Sequence, residues 1–323
     1  MTDSAGVRPD ELADTDRAPW VIDVRALRKR HGSVTLLNDL TLQVARGTVC
    51  ALIGANGSGK TTLLKILLGM SRHDGGDCRV FGLSVDGEAN SLAIRQRTGF
   101  VSETKETFAQ VSVRRCIDMT RACYPAWRAS RERELLERFA LPPAQRVSRL
   151  SKGMRAKLAM LLACCRGAEL LLLDEPTDGL DPMSAEQVLQ SLVAMVADEG
   201  ITVLLSSHQL HEVERIADNI AVMHEGRVVL RGDLDDLRQN VRRIEFVLPH
   251  AVTTPALPED LDVLHSTQSG ARWSVLARGA WAGDVERASA DLAAYTGALS
   301  ANVHAVGLRE LFLAVSGDNR GGV

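Results

Sequence analysis

The sequence has few aromatic residues, little excess of either charge and no long hydrophobic run. Tryptophan, tyrosine and phenylalanine make up 4% of its 323 residues, and the formal net charge is −3. This near-balanced charge gives no indication of a nucleic-acid-binding surface, so we expect no nucleic-acid partner. The longest apolar run, residues 158–165, is far shorter than the ~20 residues that span a bilayer. We therefore expect no membrane span in this chain, although it could dock on a membrane protein.

The six cysteines lack the spacing of a metal site. We expect them to be reduced, cytosolic and mostly buried, since disulfides are rare in that compartment. Residues 1–19 are polar and acidic and have no apolar core, so they predict a disordered tail rather than a signal peptide. A hydrophobic content of 45% is ample for a buried core. The length favours about two domains.

The most informative stretch runs from Val49 to Leu68. Five residues typical of a strand lead into GANGSGKT, residues 54–61. This is the G-x-x-x-x-G-K-[ST] pattern of a phosphate-binding P-loop, in its usual context of strand, loop and helix. Its glycines let backbone N–H groups approach phosphate oxygens. Lys60 can reach the β- and γ-phosphates, and the Thr61 hydroxyl can hold Mg²⁺. The sequence therefore predicts nucleotide binding.

The chain after the P-loop alternates predicted strands with predicted helices. This alternation predicts an α/β fold with a mainly parallel sheet, whose ligands bind at the carboxyl ends of the strands. The elements expected between the P-loop and residue 217 are a turn at 74–77, a short strand at 79–82, a strand at 98–102, a helical region at 112–140, and then helix 151–166, strand 170–173, helix 182–198, strand 201–205 and helix 209–217. Past about residue 233 the pattern changes to that of a small α+β domain. We place the domains at 20–232 and 233–323.

A second group of polar residues follows the buried strands. Asp174 and Glu175 come directly after four leucines, and His208 follows the next buried strand. An acid at a strand end beside a P-loop suits Mg²⁺ binding, directly or through water. Glu175 is then suited to act as a general base on the attacking water. Since Gly54, Asp174 and His208 all follow strand ends, one site could collect them.

These motifs, in this order, resemble the ATP-binding subunit of an ABC transporter over residues 20 to about 232. GANGSGKT corresponds to the Walker A loop, and LSKGM, residues 150–154, matches the signature LSGGQ at three of five positions. LLLLDE corresponds to Walker B, residues 178–181 to the D-loop and His208 to the switch histidine. The resemblance implies a P-loop ATPase domain with a helical subdomain, ATP and Mg²⁺ as cofactors, and ATP hydrolysis as the activity.

The resemblance also implies a division of tasks between two subunits paired head to tail, identical or different. ATP would lie between the P-loop of one subunit and Ser151 of the other, while His208 contacts the γ-phosphate. The implied catalytic residues are Glu175, His208 and Lys60. The implied metal ligands are Thr61, Asp174 and Glu103. The implied nucleotide-binding residues are Gly54, Ala55, Asn56, Gly57, Ser58, Gly59, Lys60, Thr61, Thr62, Ser151, Gly153 and His31.

Three positions depart from the family pattern. His31 stands where the family commonly has an aromatic residue that stacks on adenine. In the signature, Lys152 and Met154 replace Gly and Gln, and Lys152 lies either near the opposite phosphate or in solvent. Glu103 ends the loop that usually ends in Gln, a feature that resembles export-type subunits. The segment 307–317, GLRELFLAVSG, also resembles the end of export-type subunits.

These observations favour an ATPase that powers a separate membrane permease for export. The chain would then lie in the cytoplasm, bound through the permease to the inner face of the membrane. We expect the loop around Glu103 and the helical region after it to form the docking surface. One alternative is a soluble ABC ATPase that acts on ribosomes or DNA, but those proteins typically carry two cassettes or a long coiled coil. The other is a P-loop kinase or GTPase, which would need neither LSKGM nor His208.

Overall fold

The computed structural model describes residues 19–105, 108–249, 255–279, 281 and 285–317. The predicted disordered tail, residues 1–19, lies outside these ranges except for its last residue. The chain divides into two compact units between Val228 and Val229. The domain boundary expected from the sequence, between residues 232 and 233, lies four residues further along the chain.

The mainly parallel sheet that the sequence predicted has the strand order β10-β9-β3-β8-β7-β6 and belongs to the first unit, except that its edge strand β10 crosses the boundary between the units. Its strands are β3 (Val49–Gly54), β6 (Thr98–Val101), β7 (Leu170–Asp174), β8 (Thr202–Ser207), β9 (Asn219–His224) and β10 (Arg227–Asp233). Every residue of β3, β7 and β8 is buried, which explains their unbroken apolar runs. Asp174 pairs with Ser206 and Ile53 with Ser207, so these three strands end in one row. This register brings the predicted site residues to one edge of the sheet.

A second sheet of four strands has the order β2-β1-β4-β5. It consists of β1 (Trp20–His31), β2 (Val34–Ala45), β4 (Gly75–Val80) and β5 (Leu83–Ser84). The prediction of a turn at 74–77 was wrong at three of its four positions. Gly75 pairs with Arg28 and Asp77 with Arg25, so the Gly-Gly-Asp segment is already part of β4. Pairing with β1 therefore overrides the turn preference of these residues.

The helices of the first unit are α1 (Lys60–Leu67), α2 (Glu88–Arg97), α3 (Val113–Ala122), α4 (Ala129–Arg138), α5 (Lys152–Cys164), α6 (Pro182–Glu199) and α7 (Leu210–Ile216). The sequence did not predict α2. It also predicted continuous helical character from 112 to 140, whereas two helices form there. Pro125 lies between them, and proline cannot continue the hydrogen-bond pattern of a helix. None of the helices in the described part of the chain combines the length and apolar character of a transmembrane span.

The core of the first unit is formed by apolar side chains from both sheets and from α1. On α5 the predicted apolar face is buried at Leu158, Leu161, Leu162 and Cys165, while Met154 is only half-buried. All six cysteines are free, and Cys123 alone among them is exposed. The prediction of free, mostly buried cysteines is therefore confirmed.

The second unit is built on an antiparallel sheet in the order β12-β13-β11-β14. Its elements are α8 (Leu234–Asn240), β11 (Val241–Val247), β12 (Asp262–Ser269), β13 (Arg272–Arg278), α9 (Val285–Thr296), β14 (Ser300–Ala305) and α10 (Leu308–Ser316). Phe246 and Trp273 stack in its core with ring centroids 4.8 Å apart. The expected α+β character is present, although α8 and β12 were not predicted.

Candidate functional site

The P-loop joins β3 to α1 in a conformation that requires glycine at two positions. A Cβ on Gly54 would lie 2.5 Å from Ser58 Oγ and 2.7 Å from a main-chain oxygen, and a Cβ on Gly59 would lie 2.7 Å from Leu36 O. Gly59 also has φ +104°, a region that favours glycine. The Ser58 hydroxyl is buried and has no hydrogen-bond partner among the residues that the structure describes. Such an orphaned donor inside a P-loop fits a phosphate oxygen as its partner.

Lys60, the first residue of α1, has a buried side chain whose ammonium faces the loop. Its Nζ donates to Gly54 O at 2.7 Å and to Ala55 O at 3.3 Å. It also lies 3.8 Å from Glu175 Oε1. The lysine is therefore poised between the loop and the acid at the end of β7, where it can stabilise added negative charge.

Asp174 and Thr61 meet at the end of β7. The Thr61 hydroxyl donates to Asp174 Oδ2 at 2.7 Å, and the Ser206 hydroxyl donates to Asp174 Oδ1 at 2.7 Å. Ser206 Oγ in turn accepts from the main-chain N–H of Glu175 at 3.0 Å. Ser206 thus links the two acidic residues, a role that the sequence analysis missed. The Ser-Ser pair before His208 at the end of a buried strand was the available signal.

Glu175 leaves the strand with φ +49°, a left-handed conformation that is uncommon for a residue with a side chain. Its Oε2 lies 2.8 Å from Nδ1 of His208, while its Oε1 faces Lys60. The main-chain N–H of His208 also points to Oε2, at 3.4 Å. The carboxylate is therefore held between two basic side chains, as a base that must be aimed at a water molecule requires.

These residues surround a cavity of about 340 Å³. Its lining consists of Leu36, Asn56, Gly57, Gly59, Lys60, Thr61, Thr62, Glu103, Asp174 and Glu175. Eight of the predicted nucleotide, metal and catalytic residues from the P-loop and strand ends thus share one cavity with Glu103. Polar groups converge here on a concave surface, as they do in small-molecule sites.

The three predicted binding residues outside the P-loop do not line this cavity. His31 is exposed at the end of β1, so its role beside adenine stays a prediction. Ser151 is exposed and caps α5, its hydroxyl accepting from the main-chain N–H of Met154 at 3.1 Å. Gly153 lies in the first turn of the same helix, next to Leu180. The signature residues therefore present a helix N-terminus to the surface, away from the chain's own P-loop cavity.

Lys152 follows neither of the two expectations fully. Its side chain is 60% exposed, and its ammonium pairs with Asp178 Oδ2 at 2.8 Å. This hydrogen bond is the main cause of the lowered pKa of Asp178. The signature helix is thus connected to the D-loop of the same subunit.

The site also fits a Mg²⁺ ion. In proteins Mg²⁺ prefers one or two carboxylates plus hydroxyl, water and phosphate oxygens, rather than a cage of side chains. Asp174 and Thr61 offer such a pair of oxygens, with the Glu103 carboxylate lining the same cavity. Across the described ranges, no group of three or more His, Cys, Asp or Glu side chains could hold a metal by itself. The donor set is therefore one that a nucleotide's phosphates would complete.

Comparison with known proteins agrees with this geometry. Residues 37–178 match the family model described as ABC transporter. A daunorubicin resistance ATP-binding protein, DrrA3 of Streptomyces coeruleorubidus, is 38% identical over 74% of this chain and 76% of its own length. The bacitracin transport ATP-binding protein BcrA of Enterococcus faecalis is 31% identical over 69% of this chain and 73% of its own.

A solved structure described as the ATP binding subunit of an ABC transporter shares the fold. It superimposes with a TM-score of 0.62 at 30% identity, over 68% of this chain and 92% of its own. The predicted P-loop α/β fold is thus confirmed. The chain therefore belongs to the ABC transporter family, as an export-type subunit that binds and hydrolyses ATP and works with a membrane permease.

Proposed function

We propose that the cavity at the ends of β3 and β7 binds ATP together with Mg²⁺, and that Glu175 is the base for hydrolysis. The observation that carries this proposal is the placement of Glu175 between Lys60 and His208 (3.8 Å and 2.8 Å), next to the paired Thr61 and Asp174. The arrangement puts an anion-binding loop, two oxygen ligands and a base around one cavity, which is the set of parts that phosphoryl transfer to water requires.

The P-loop residues 54–62 hold the phosphates in this proposal. The Ser58 hydroxyl and the main-chain N–H groups at the start of α1 donate to phosphate oxygens, and the helix dipole favours their charge. Lys60 exchanges its bonds to Gly54 O and Ala55 O for the β- and γ-phosphates. When bound, Mg²⁺ neutralises charge that develops on the phosphates. Thr61 and Asp174 would hold the ion, and Glu103, which lines the same cavity, would offer a further oxygen ligand.

Glu175 accepts the proton of the attacking water. His208 keeps the carboxylate oriented through Nδ1, which leaves its other ring nitrogen for the γ-phosphate. The His208 side chain is half-exposed, so a phosphate or a second subunit can reach it. Lys60 Nζ lies on the opposite side of the carboxylate, 3.8 Å from Oε1.

Ser151 and Gly153 complete the nucleotide site of a second subunit. Both lie at the N-terminus of α5, where free N–H groups and the helix dipole attract anions. The surface position of Ser151, outside its own cavity, supports a head-to-tail dimer in which ATP lies between the two chains. The partner is either a second copy of this chain or a related subunit.

The direction of transport is outward in this proposal. Relatives named for daunorubicin resistance and bacitracin transport support export. The chain would lie on the inner face of the cell membrane, bound to the permease through the loop around Glu103. The substrate path lies in the permease.

The experiment compares the purified chain with membrane vesicles that contain it together with a multispan permease co-expressed with it. We expect Mg²⁺-dependent ATP hydrolysis that is slow in the purified chain and faster in the vesicles. Asp174→Asn should remove the Mg²⁺-dependent hydrolysis in both preparations while ATP binding in EDTA is retained. Hydrolysis that is equally fast without the membrane protein would contradict the transport function, and hydrolysis by Asp174→Asn would contradict the site.

A further inference from the structure

Lys105 places a buried ammonium against the backbone that carries Glu175. The lysine follows Glu103 in the loop after β6, and only 4% of its surface is exposed. Its Nζ donates to the main-chain oxygens of Glu175 at 3.0 Å and Asp178 at 3.2 Å. A third, longer bond of 3.4 Å goes to Glu103 O in its own loop. An ammonium has three donors, so these three carbonyls account for all of them.

The carbonyls of Glu175 and Asp178 belong to one tight turn at the end of β7. Glu175 O also accepts from the main-chain N–H of Asp178 at 3.1 Å, so the ammonium caps the turn at both of its ends. Glu175 itself has φ +49°. A non-glycine residue in this region is strained and persists only where its surroundings fix it. The ammonium of Lys105 is one group that does so.

The ammonium group of Lys105 is buried, which is rare for a lysine. Desolvation lowers the pKa of Lys105, and Lys152 lowers it further, while the carboxylates of Asp178, Glu103 and Glu175 raise it. Buried ammonium groups are costly unless they are paired and hydrogen-bonded. Lys105 also has φ +50°, so its own backbone is held in a rare conformation that brings the side chain inward.

We propose that Lys105 is a positioning residue for ATP hydrolysis, whose ammonium holds the 175–178 turn so that the Glu175 carboxylate enters the cavity between Lys60 and His208. The inference rests on the proposed role of Glu175 as the base. Lys105 does not line the cavity, so it acts through the turn. Its removal should therefore impair the attack of water and leave nucleotide binding by the P-loop intact.

The test uses the full chain with Lys105→Met, which removes the donors and keeps the length of the side chain. We expect kcat for ATP to fall about 10- to 100-fold, the size of effect that a small misplacement of a reacting group produces. The Kd of a fluorescent ATP analogue should stay within about threefold, because the P-loop contacts that bind the nucleotide do not depend on the position of the base. Lys157→Met is the matched control. Its Nζ donates to Gln187 at 3.1 Å on the helices α5 and α6, and its loss should leave both values unchanged.

A purely structural role would give a different result. Introducing Lys105→Met into Glu175→Gln should add no further loss to the slow residual hydrolysis, measured in a single turnover with excess protein, because a base that is absent cannot be misplaced. Lys105→Gln keeps two N–H donors without the charge and should lose less than Lys105→Met. It also serves as the test if the methionine variant does not fold.

Several outcomes would overturn the inference. A wild-type kcat in a folded Lys105 variant, beside an inactive Glu175→Gln, refutes the positioning role alone. A fall of kcat and ATP affinity together would show that Lys105 supports the whole site rather than the base. Full hydrolysis by Glu175→Gln would instead refute the assignment of the base and the present inference with it.

Discussion

His208 contacts the carboxylate of Glu175 through both its imidazole ring and its main-chain N–H. Nδ1 lies 2.8 Å from Oε2, and the main-chain N–H lies 3.4 Å from the same oxygen. The two residues are at the ends of neighbouring parallel strands, β7 and β8. The base and the residue proposed to contact the γ-phosphate therefore form one unit, and removal of the carboxylate should affect hydrolysis without affecting nucleotide binding.

Glu175→Gln should abolish turnover and retain ATP binding. An amide cannot take the proton from water, and a general base contributes about 10²–10⁴-fold to a rate. The variant should accumulate as an ATP-bound dimer in size-exclusion chromatography. Glu169→Gln is the control, since Glu169 precedes the same strand, pairs with Arg97 and is 45% exposed. Near-wild-type hydrolysis in Glu175→Gln would place the base elsewhere.

Ser151→Ala should lower ATP hydrolysis with little change in the Kd for ATP. The hydroxyl caps α5 at a position outside the chain's own cavity, so its effect on ATP requires a second subunit. Ser112→Ala is a matched control, because Ser112 caps α3 in the same way, accepting from Arg115 N at 3.2 Å. Each substitution should cost about 0.5–2 kcal/mol of stability. If both variants lost the same amount of activity, Ser151 would act only as a helix cap. A large rise in the Kd for ATP in Ser151→Ala would instead place Ser151 in the nucleotide site of its own subunit.

Glu103→Gln should need more Mg²⁺ for half-maximal hydrolysis, with little loss at saturating Mg²⁺. A carboxylate favours the hard Mg²⁺ ion but also repels the γ-phosphate, so the two effects oppose each other. Glu103→Ala should lose permease-stimulated hydrolysis more than basal hydrolysis. The measurement is a Mg²⁺ titration of ATPase activity, with the exposed helical Glu88→Gln as the charge-matched control. Identical Mg²⁺ curves with intact stimulation would leave Glu103 as a solvated side chain.

Glu212→Gln should make the protein more stable at pH 8 than the wild type. The Glu212 carboxyl is buried and accepts from the Thr177 hydroxyl at 2.5 Å, and burial raises its pKa. A raised folded-state pKa means that its contribution to stability is present below about pH 4.5 and is lost as the pH rises through the folded pKa. Glutamine keeps the hydrogen bond and carries no charge at any pH.

The gain in Tm for Glu212→Gln should therefore shrink from pH 8 to pH 4.5. Each kcal/mol corresponds to roughly 2–4 °C in a domain of this size. Thermal unfolding at the two pH values provides the measurement, with the exposed helical Glu137→Gln as the control. A gain that is independent of pH would show that the carboxyl is not protonated on folding.

The parts of the fold that the sequence predicted are those with a strong local pattern. The runs of β3, β7 and β8 are apolar throughout because both faces of these strands are buried. Helix α2 has no such pattern, since only Ser91 and Ile94 of its ten residues are buried. Gly75 and Gly76 have the composition of a turn and form a strand only because β1 pairs with them.

The site could be predicted as far as its motifs extend. The residues of the P-loop and of the ends of β7 and β8 were found because their chemistry is tied to fixed spacings. Lys105 was missed because its contact with Glu175 spans 70 residues of sequence and its neighbours in the sequence are polar. A lysine in such a loop is normally solvated, and only the folded chain shows it buried.

Ser206 connects β8 to both acidic residues at the end of β7. Its hydroxyl donates to the Asp174 carboxylate and accepts from the Glu175 amide, and the residue is completely buried. A shift of β8 against β7 would therefore displace together the Asp174 carboxylate proposed to bind Mg²⁺ and the Glu175 carboxylate proposed to activate water. Because His208 directly follows β8, loss of the γ-phosphate that it is proposed to contact would reach both groups through one movement of this strand.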